Sequence, residues 1–105
     1  MKYVMYVACM LLFVACGSES TESSSSAKPP ISKEQSIYNT NCKLCHGSKG
    51  DLGVSGAANL RMSELSIEER ITVITNGRNG MAAYKGILSE EQIKLVAEYT
   101  LTLHD

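Results

Sequence analysis

The stretch Cys42-Lys43-Leu44-Cys45-His46 places two cysteines three positions apart, with a histidine directly after the second. Side chains three positions apart on a helix lie on the same face, so both thiols can reach one flat ligand from the same side. The two thiols can then bond the two vinyl groups of a porphyrin, and the imidazole that follows can bind its iron. The motif therefore predicts one covalently attached haem c, with Cys42 and Cys45 as the thioether residues and His46 as the proximal iron ligand.

A Cys-x-x-Cys pair has other interpretations, namely half of a zinc site, a thioredoxin-like redox pair, or chance. A structural zinc site usually takes four protein ligands, and the sequence offers no second Cys/His pair. A redox Cys-x-x-Cys is expected near a strand–helix–strand pattern, and the sequence contains no clearly alternating strand. Covalent haem is therefore the preferred interpretation.

Length and charge narrow the possibilities further. The chain has 105 residues, which is enough for one domain. Its formal net charge is −1, and the sequence has no basic stripe that would bind nucleic acid. Its four cysteines all find a use without a disulfide, because Cys9 and Cys16 lie in or next to the leader and the other two take the haem.

The N-terminal residues 1–15 are typical of a signal peptide. Lys2 supplies a minimal positive charge, and Tyr3 to Val14 form an apolar core too short for a comfortable membrane span. We therefore expect an exported protein, as covalent haem attachment in bacteria requires.

Residues 13–18, with the sequence FVACGS, resemble the lipobox of bacterial lipoproteins. This resemblance implies that Cys16 is lipidated and becomes the mature N-terminus, although Phe13 stands where leucine is usual. Several acyl chains would hold the protein at a membrane surface, on the periplasmic side or the outer face of the cell membrane. An uncleaved anchor helix or an ordinary signal peptide are the alternatives, and both also export the chain.

Residues 16–30 are predicted to be a linker that begins at the lipidated cysteine. The segment is rich in serine and contains no apolar residue able to build a core, and Pro29-Pro30 stiffens its end. It would act as a tether that lets residues 31–105 swing between partners, or as a plain spacer.

Residues 31–105 are predicted to form an all-α domain of three or more short helices. Each predicted helix follows a Ser-x-x-Glu/Gln capping box, in which two side chains bond free backbone N–H groups reciprocally. The boxes are Ser32/Gln35, Ser66/Glu69 and Ser89/Gln92, and the helices run over residues 33–46, 67–75 and 90–103. Two glycine-containing loops, 47–65 and 77–86, connect them, and such long loops are easier to accept if they wrap a cofactor.

The sixth position of the iron has three candidate ligands in the mature chain, Met62, Met81 and His104. Met81 is the preferred distal ligand because it sits alone in a Gly- and Asn-containing loop, from which a thioether can project inward. Met62 precedes the second helix and can simply pack there, and His104 lies at the frayed end of the chain. An open sixth site is the remaining alternative.

Several stretches together carry a family resemblance. They are Tyr38 with Cys42-x-x-Cys45-His46-Gly47, Gly56-Ala57-Ala58-Asn59-Leu60, Asn76-Gly77-x-x-Gly80-Met81 and Leu88-Ser89-Glu90-Glu91-Gln92-Ile93-x-x-Val96-Ala97-x-Tyr99. With these residues, the chain from Ser32 onward resembles the class I c-type cytochromes of the small bacterial monohaem type. Together with its leader, it is similar to the lipoprotein cytochromes c-551.

The resemblance implies a cytochrome c fold in which the first and last helices cross closely. Carried over to this chain, the crossing places Tyr38 against Val96, Ala97 and Tyr99. The sequence departs from the family pattern at Glu34, which stands where glycine is frequent.

Two further departures are alanines that replace prolines of the family pattern. Ala58 precedes Asn-Leu, at a position whose carbonyl commonly accepts a hydrogen bond from the haem histidine. Ala82 directly follows the expected ligand Met81.

The function implied by the resemblance is one-electron transfer with His46 and Met81 as axial ligands, and not enzymatic catalysis. A His/Met pair raises the reduction potential of the iron. The expected protein is a membrane-tethered, monomeric carrier in an extracytoplasmic respiratory chain. Its partners would be a terminal oxidase, a reductase or a dehydrogenase.

Two alternative functions remain open from the sequence. With an open sixth site, the domain would be a haem-based gas sensor or a weak peroxidase. It could also be a fixed haem subunit of a larger oxidase or dehydrogenase.

The small size of residues 31–105 leads to a prediction about folding. A domain of about 75 residues rarely stabilises itself without a metal, a disulfide or another cross-link, and a buried haem would fill that role. The haem-free protein is therefore expected to be poorly folded. Its NMR spectrum tests this expectation, and well-dispersed amide resonances without haem would contradict it.

Overall fold

The computed structural model describes residues 28–104, so the predicted signal peptide, Cys16 and most of the linker lie outside the described residues. Within this range the chain forms four α-helices and one 3₁₀ turn, and no β-strand. The helices are α1 (Lys33–Asn41), α2 (Lys43–His46), α3 (Ile67–Asn76) and α4 (Glu90–Leu101), and the 3₁₀ turn is Val54–Gly56. The predicted all-α fold is confirmed.

The first predicted helix, 33–46, is in fact broken at Cys42. This residue has φ −116° and ψ −35°, and the amides of Cys45 and His46 both donate to its carbonyl, at 3.2 and 3.0 Å. In a continuous α-helix the amide of Cys45 would instead donate to the carbonyl of Asn41. The break separates α1 from the single turn of α2 that carries the Cys-x-x-Cys-His motif.

Serine caps begin the three longer helices, as predicted. Ser66 and Ser89 form complete capping boxes with Glu69 and Gln92. Ser32 forms only half of one, because its side chain accepts from the Gln35 amide but no reciprocal bond is formed. At the other end, α4 stops at Leu101 and residues 102–103 continue as a turn.

The core lies where α1 crosses α4. Tyr38, Val96 and Ala97 have no exposed surface, and the rings of Tyr38 and Tyr99 lie 5.0 Å apart between centroids at 51°, a favourable tilted arrangement. The buried cluster comprises Ile37, Tyr38, Cys42, Ile74, Ile93, Val96 and Ala97. The expected packing of the first helix against the last is thus confirmed, and Glu34 is half-buried.

A buried arginine joins α3 to α4. The Arg70 guanidinium donates to the Thr100 hydroxyl at 3.0 Å and to the carbonyls of Ser63 and Leu65 at 2.8 and 3.0 Å. Burial lowers the pKa of this guanidinium, but arginine stays charged in proteins. The side chain therefore ties the segment before α3 to the C-terminal half of α4.

No helix among residues 28–104 is both long enough and apolar enough to cross a bilayer.

The capping boxes lead to a stability prediction for Ser89→Ala. This change leaves the α4 amide of Gln92 without its side-chain acceptor and is expected to lower the free energy of unfolding by about 1 kcal/mol. Urea unfolding of the haem-loaded protein, followed by helical circular dichroism, measures the effect.

The matched control is Ser36→Ala, at an exposed position inside α1. Alanine is the better helix former there, so we expect a change within about 0.5 kcal/mol. Equal losses in the two variants would contradict the assigned role of the Ser89 cap.

Candidate functional site

The two cysteines of the motif both belong to the short helix α2, with Cys42 as its N-cap and Cys45 within its single turn. Cys42 is buried at the junction of α1 and α2, Cys45 is exposed, and both thiols are free. Burial, with a smaller contribution from Cys45, raises the pKa of the Cys42 thiol to about 11. Neither sulfur is committed to a disulfide, and Cys42 remains a neutral thiol at ordinary pH.

His46 ends α2 with its ring orientation set by a backbone carbonyl. The side chain is 8% exposed, and Nδ1 lies 2.9 Å from the carbonyl oxygen of Ala58. Because a carbonyl oxygen can only accept, the contact requires the proton on Nδ1, and in the neutral ring Nε2 then keeps its lone pair. This tautomer lets Nε2 bind a metal ion, and the contact is of the kind that metal-binding histidines usually make with their other nitrogen.

The carbonyl of Ala58 is itself held in place by its loop. The Leu60 amide donates to the Gly50 carbonyl at 2.7 Å. The Asn59 side-chain oxygen accepts from the amides of Arg61 and Met62, at 3.0 and 3.3 Å. These bonds order the loop without the proline that the family pattern has at position 58.

A second set of bonds holds the backbone behind His46. The hydroxyl of Tyr38 donates to the Gly47 carbonyl at 2.7 Å, and the Leu52 amide donates to the His46 carbonyl at 3.0 Å. Burial raises the pKa of Tyr38 to about 12, so this donor keeps its proton. Gly47 has φ +81°, and a Cβ there would lie 2.7 Å from the Leu52 Cβ. Only glycine fits this turn, because a side chain would add both backbone strain and a clash.

Met81 lies on a tight turn that faces the core. The turn is closed by two backbone bonds between Arg78 and Met81, at 2.9 and 3.2 Å, and Asn79 takes φ +53°. Met81 is half-buried and packs against the buried cluster that includes Cys42 and Ile74. The described structure thus brings the Met81 turn against the same buried cluster that contains Cys42 of the Cys-x-x-Cys-His motif.

Gly77 allows the Met81 turn to fold back onto the end of α3. It has φ +73°, and a Cβ there would lie 2.5 Å from the Met81 carbonyl oxygen and 2.9 Å from the Ala83 nitrogen. A side chain at this position would push the turn away from the helix.

The other two candidate ligands lie elsewhere. The Met62 side chain is 79% exposed, and the exposed His104 bonds the Arg61 carbonyl through Nδ1. Both line an open cleft together with Asp51, Asn59 and Arg61.

Tyr84 is a residue of this site that the sequence analysis missed. Its hydroxyl donates to the carbonyl of Asn41 at 2.8 Å, and its amide donates to the Ile74 carbonyl at 2.9 Å. Burial raises the pKa of Tyr84, and the two cysteines contribute smaller effects in the same direction. The available signal was an aromatic residue with a polar tip three positions after Met81.

The buried Arg70 was missed as well. Its available signal was the helical spacing, because it lies three positions after Ile67 and four before Ile74, on the apolar face of α3. The chemistry of the donor set fits a covalently bound haem, because the site offers two free thiols, an imidazole fixed through Nδ1 and a thioether that packs against the cluster containing Cys42.

Similarity to known proteins identifies the family of the chain. Residues 29–99 match the family described as cytochrome c oxidase, cbb3-type, subunit III. The chain is also similar to cytochromes c6. It is 39% identical to that of Leptolyngbya boryana over 71 residues, which cover 62% of this chain and 82% of the relative.

Two further cytochromes c6 give the same result. That of Microcystis aeruginosa is 38% identical over 72 residues, covering 63% of this chain and 88% of the relative. That of Alaria esculenta is 30% identical over 81 residues, covering 71% and 93%. The chain therefore belongs to the small class I c-type cytochromes, proteins that carry electrons on a covalently bound haem c and are not enzymes.

Proposed function

We propose that this protein is a membrane-tethered one-electron carrier of an extracytoplasmic respiratory chain. Cys42 and Cys45 hold the haem through thioethers, and His46 and Met81 are the axial iron ligands. The observation that carries this proposal is the bond between His46 Nδ1 and the Ala58 carbonyl, because it fixes the ring and leaves Nε2 to bind iron in the same motif as the two thiols.

The position of Met81 supports its role as the distal ligand. Of the three candidates, it is the one that packs against the cluster containing Cys42, whereas Met62 is mostly exposed and His104 bonds the Arg61 carbonyl. The closed turn and Gly77 hold its backbone against α3. The distal ligand would therefore be nearly preorganised, which keeps structural change small when the charge of the iron changes.

Haem c would supply an iron that changes its oxidation state by one electron. The two protein ligands would limit other reactions at that iron. With His46 and Met81 as its ligands, the iron would have no position left for a substrate, and the thioether would favour the reduced state. This ligand set suits a carrier with a high potential.

The proposed domain organisation is a signal peptide over residues 1–15, a lipidated Cys16 with a linker over 16–30, and the haem domain over 31–105. Support comes from the sequence FVACGS around Cys16 and from the serine-rich composition of the linker. An anchored carrier on such a tether would reach a terminal oxidase, a reductase or a dehydrogenase at the same membrane surface.

The ligand assignment is tested by a redox titration of the haem-loaded protein with visible spectra, comparing wild type with Met81→Ala. We expect a positive potential and a methionine–iron charge-transfer band in the wild type. Both the positive potential and the band should be lost in the variant, because the Met81 thioether is removed from the iron.

A spectrum that is high-spin from the start, or that Met81→Ala leaves unchanged, would contradict the proposal. The sixth position would then be open or filled by another residue, as in a gas sensor or a weak peroxidase. Strong carbon monoxide binding by the reduced wild type would identify that case.

The lipid anchor is tested by Cys16→Ser. Membrane fractions of a bacterial host that processes lipoproteins should contain the wild type with its leader removed and a diacyl mass at its N-terminus, and the variant should lack both the leader cleavage and the diacyl mass. The matched control is Cys9→Ser, which alters a cysteine inside the predicted signal peptide and should change neither. A wild type that keeps its leader and carries no diacyl mass would indicate an anchor helix instead.

A fixed oxidase or dehydrogenase subunit is the second candidate, because the matching family is described as an oxidase subunit. Stable co-purification with a larger complex in mild detergent would support it over a mobile carrier.

A further inference from the structure

We propose that Tyr84 is a positioning residue whose hydroxyl fastens the Met81 turn to the haem-attachment segment. This inference rests on the proposed function, because it assumes that Met81 is the distal ligand. The bond in question runs from the Tyr84 hydroxyl to the carbonyl of Asn41, at 2.8 Å.

The acceptor exists because the helix breaks at Cys42. In a continuous helix the amide of Cys45 would bond the Asn41 carbonyl, but here that amide donates to Cys42. The carbonyl at the end of α1 is therefore free to take a partner from another part of the chain. The Tyr84 hydroxyl fills that position, so the bond uses an acceptor that the break leaves free.

The two ends of this bond lie next to the two halves of the site. Asn41 directly precedes Cys42, and Tyr84 follows Met81 by three residues. The bond joins segments that are 43 positions apart. Movement of the Met81 turn away from the Cys-x-x-Cys-His turn must therefore break it.

The remaining hydrogen bonds of the Met81 turn lead in other directions. The amides of Tyr84 and Lys85 bond the end of α3, at Ile74 and Thr75, and Arg78 and Met81 bond each other. Within residues 28–104, the Tyr84 hydroxyl makes the one hydrogen bond between residues 77–88 and residues 33–47.

The residue after Met81 makes this bond more important. Ala82 is exposed, and an alanine leaves the backbone freer than a proline, which locks φ near −65°. Tyr84 thus supplies by a tertiary contact part of the order that a proline would supply by its ring.

The test uses Tyr84→Phe in the haem-loaded full chain, since this change removes the hydroxyl and keeps the ring. Imidazole added to the ferric protein competes with Met81 for the iron, and its binding is followed by loss of the methionine–iron charge-transfer band. We expect imidazole affinity to rise about two- to tenfold, the range that loss of one ordinary hydrogen bond produces.

Thr75→Val is the matched control. It removes another half-buried hydroxyl-to-carbonyl bond, from Thr75 Oγ1 to Ile71 at 2.7 Å, which lies within α3 and does not reach the haem-attachment segment. Imidazole affinity should stay within twofold of the wild type. An unchanged affinity in Tyr84→Phe, or an equal rise in both variants, would overturn the proposal.

The same experiment distinguishes failure of the proposed Met81 ligation from failure of the role proposed for Tyr84. A wild-type ferric spectrum without the methionine–iron band removes the proposed ligation, and this inference with it. A wild type that has the band and a Tyr84→Phe variant that behaves like it remove the inference alone.

Discussion

The hydrogen bond between His46 and the Ala58 carbonyl is the constraint on which the site depends. An imidazole on a single helical turn could rotate and could carry its proton on either nitrogen. A carbonyl 2.9 Å from Nδ1 fixes both the tautomer and the plane of the ring. The loop from residue 47 to residue 62 is ordered around this contact, through the Leu60–Gly50 bond and the Asn59 side chain. A proline before Asn59 is therefore not required.

The crossing of α1 and α4 gives this arrangement a rigid base. Tyr38 contributes twice, because its ring packs against Tyr99 and its hydroxyl bonds the carbonyl of Gly47. The same side chain thus connects the hydrophobic core to the backbone that carries His46. Arg70 plays a comparable part on the other side, where it ties the segment before α3 to Thr100. In so small a domain, single side chains must both fill the core and order a loop.

Much of the architecture could be predicted from local chemistry. The capping boxes located the starts of α3 and α4 because their bonds are made within four residues. The break at Cys42 could not be predicted in this way, because the helical pattern continues through it. The carbonyl that the break leaves free at the end of α1 accepts from the distant Tyr84 hydroxyl, a partner that local pattern does not indicate. Arg70 was missed for a similar reason, since its acceptors lie outside its own helix, two of them just before α3 and one 30 positions away on α4.

The sequence by itself determined the all-α class, the covalent haem and the family, because short motifs with fixed spacing specify them. Cys42, Cys45 and His46 lie within one helical turn, so their chemistry can be read without a fold. Only the tertiary structure decided what orients the imidazole, which of three candidate ligands packs against the Cys42 cluster, and what fastens its turn. Those contacts join residues 12 and 43 positions apart. Local sequence pattern cannot specify such pairs, because their geometry arises only when the helices pack.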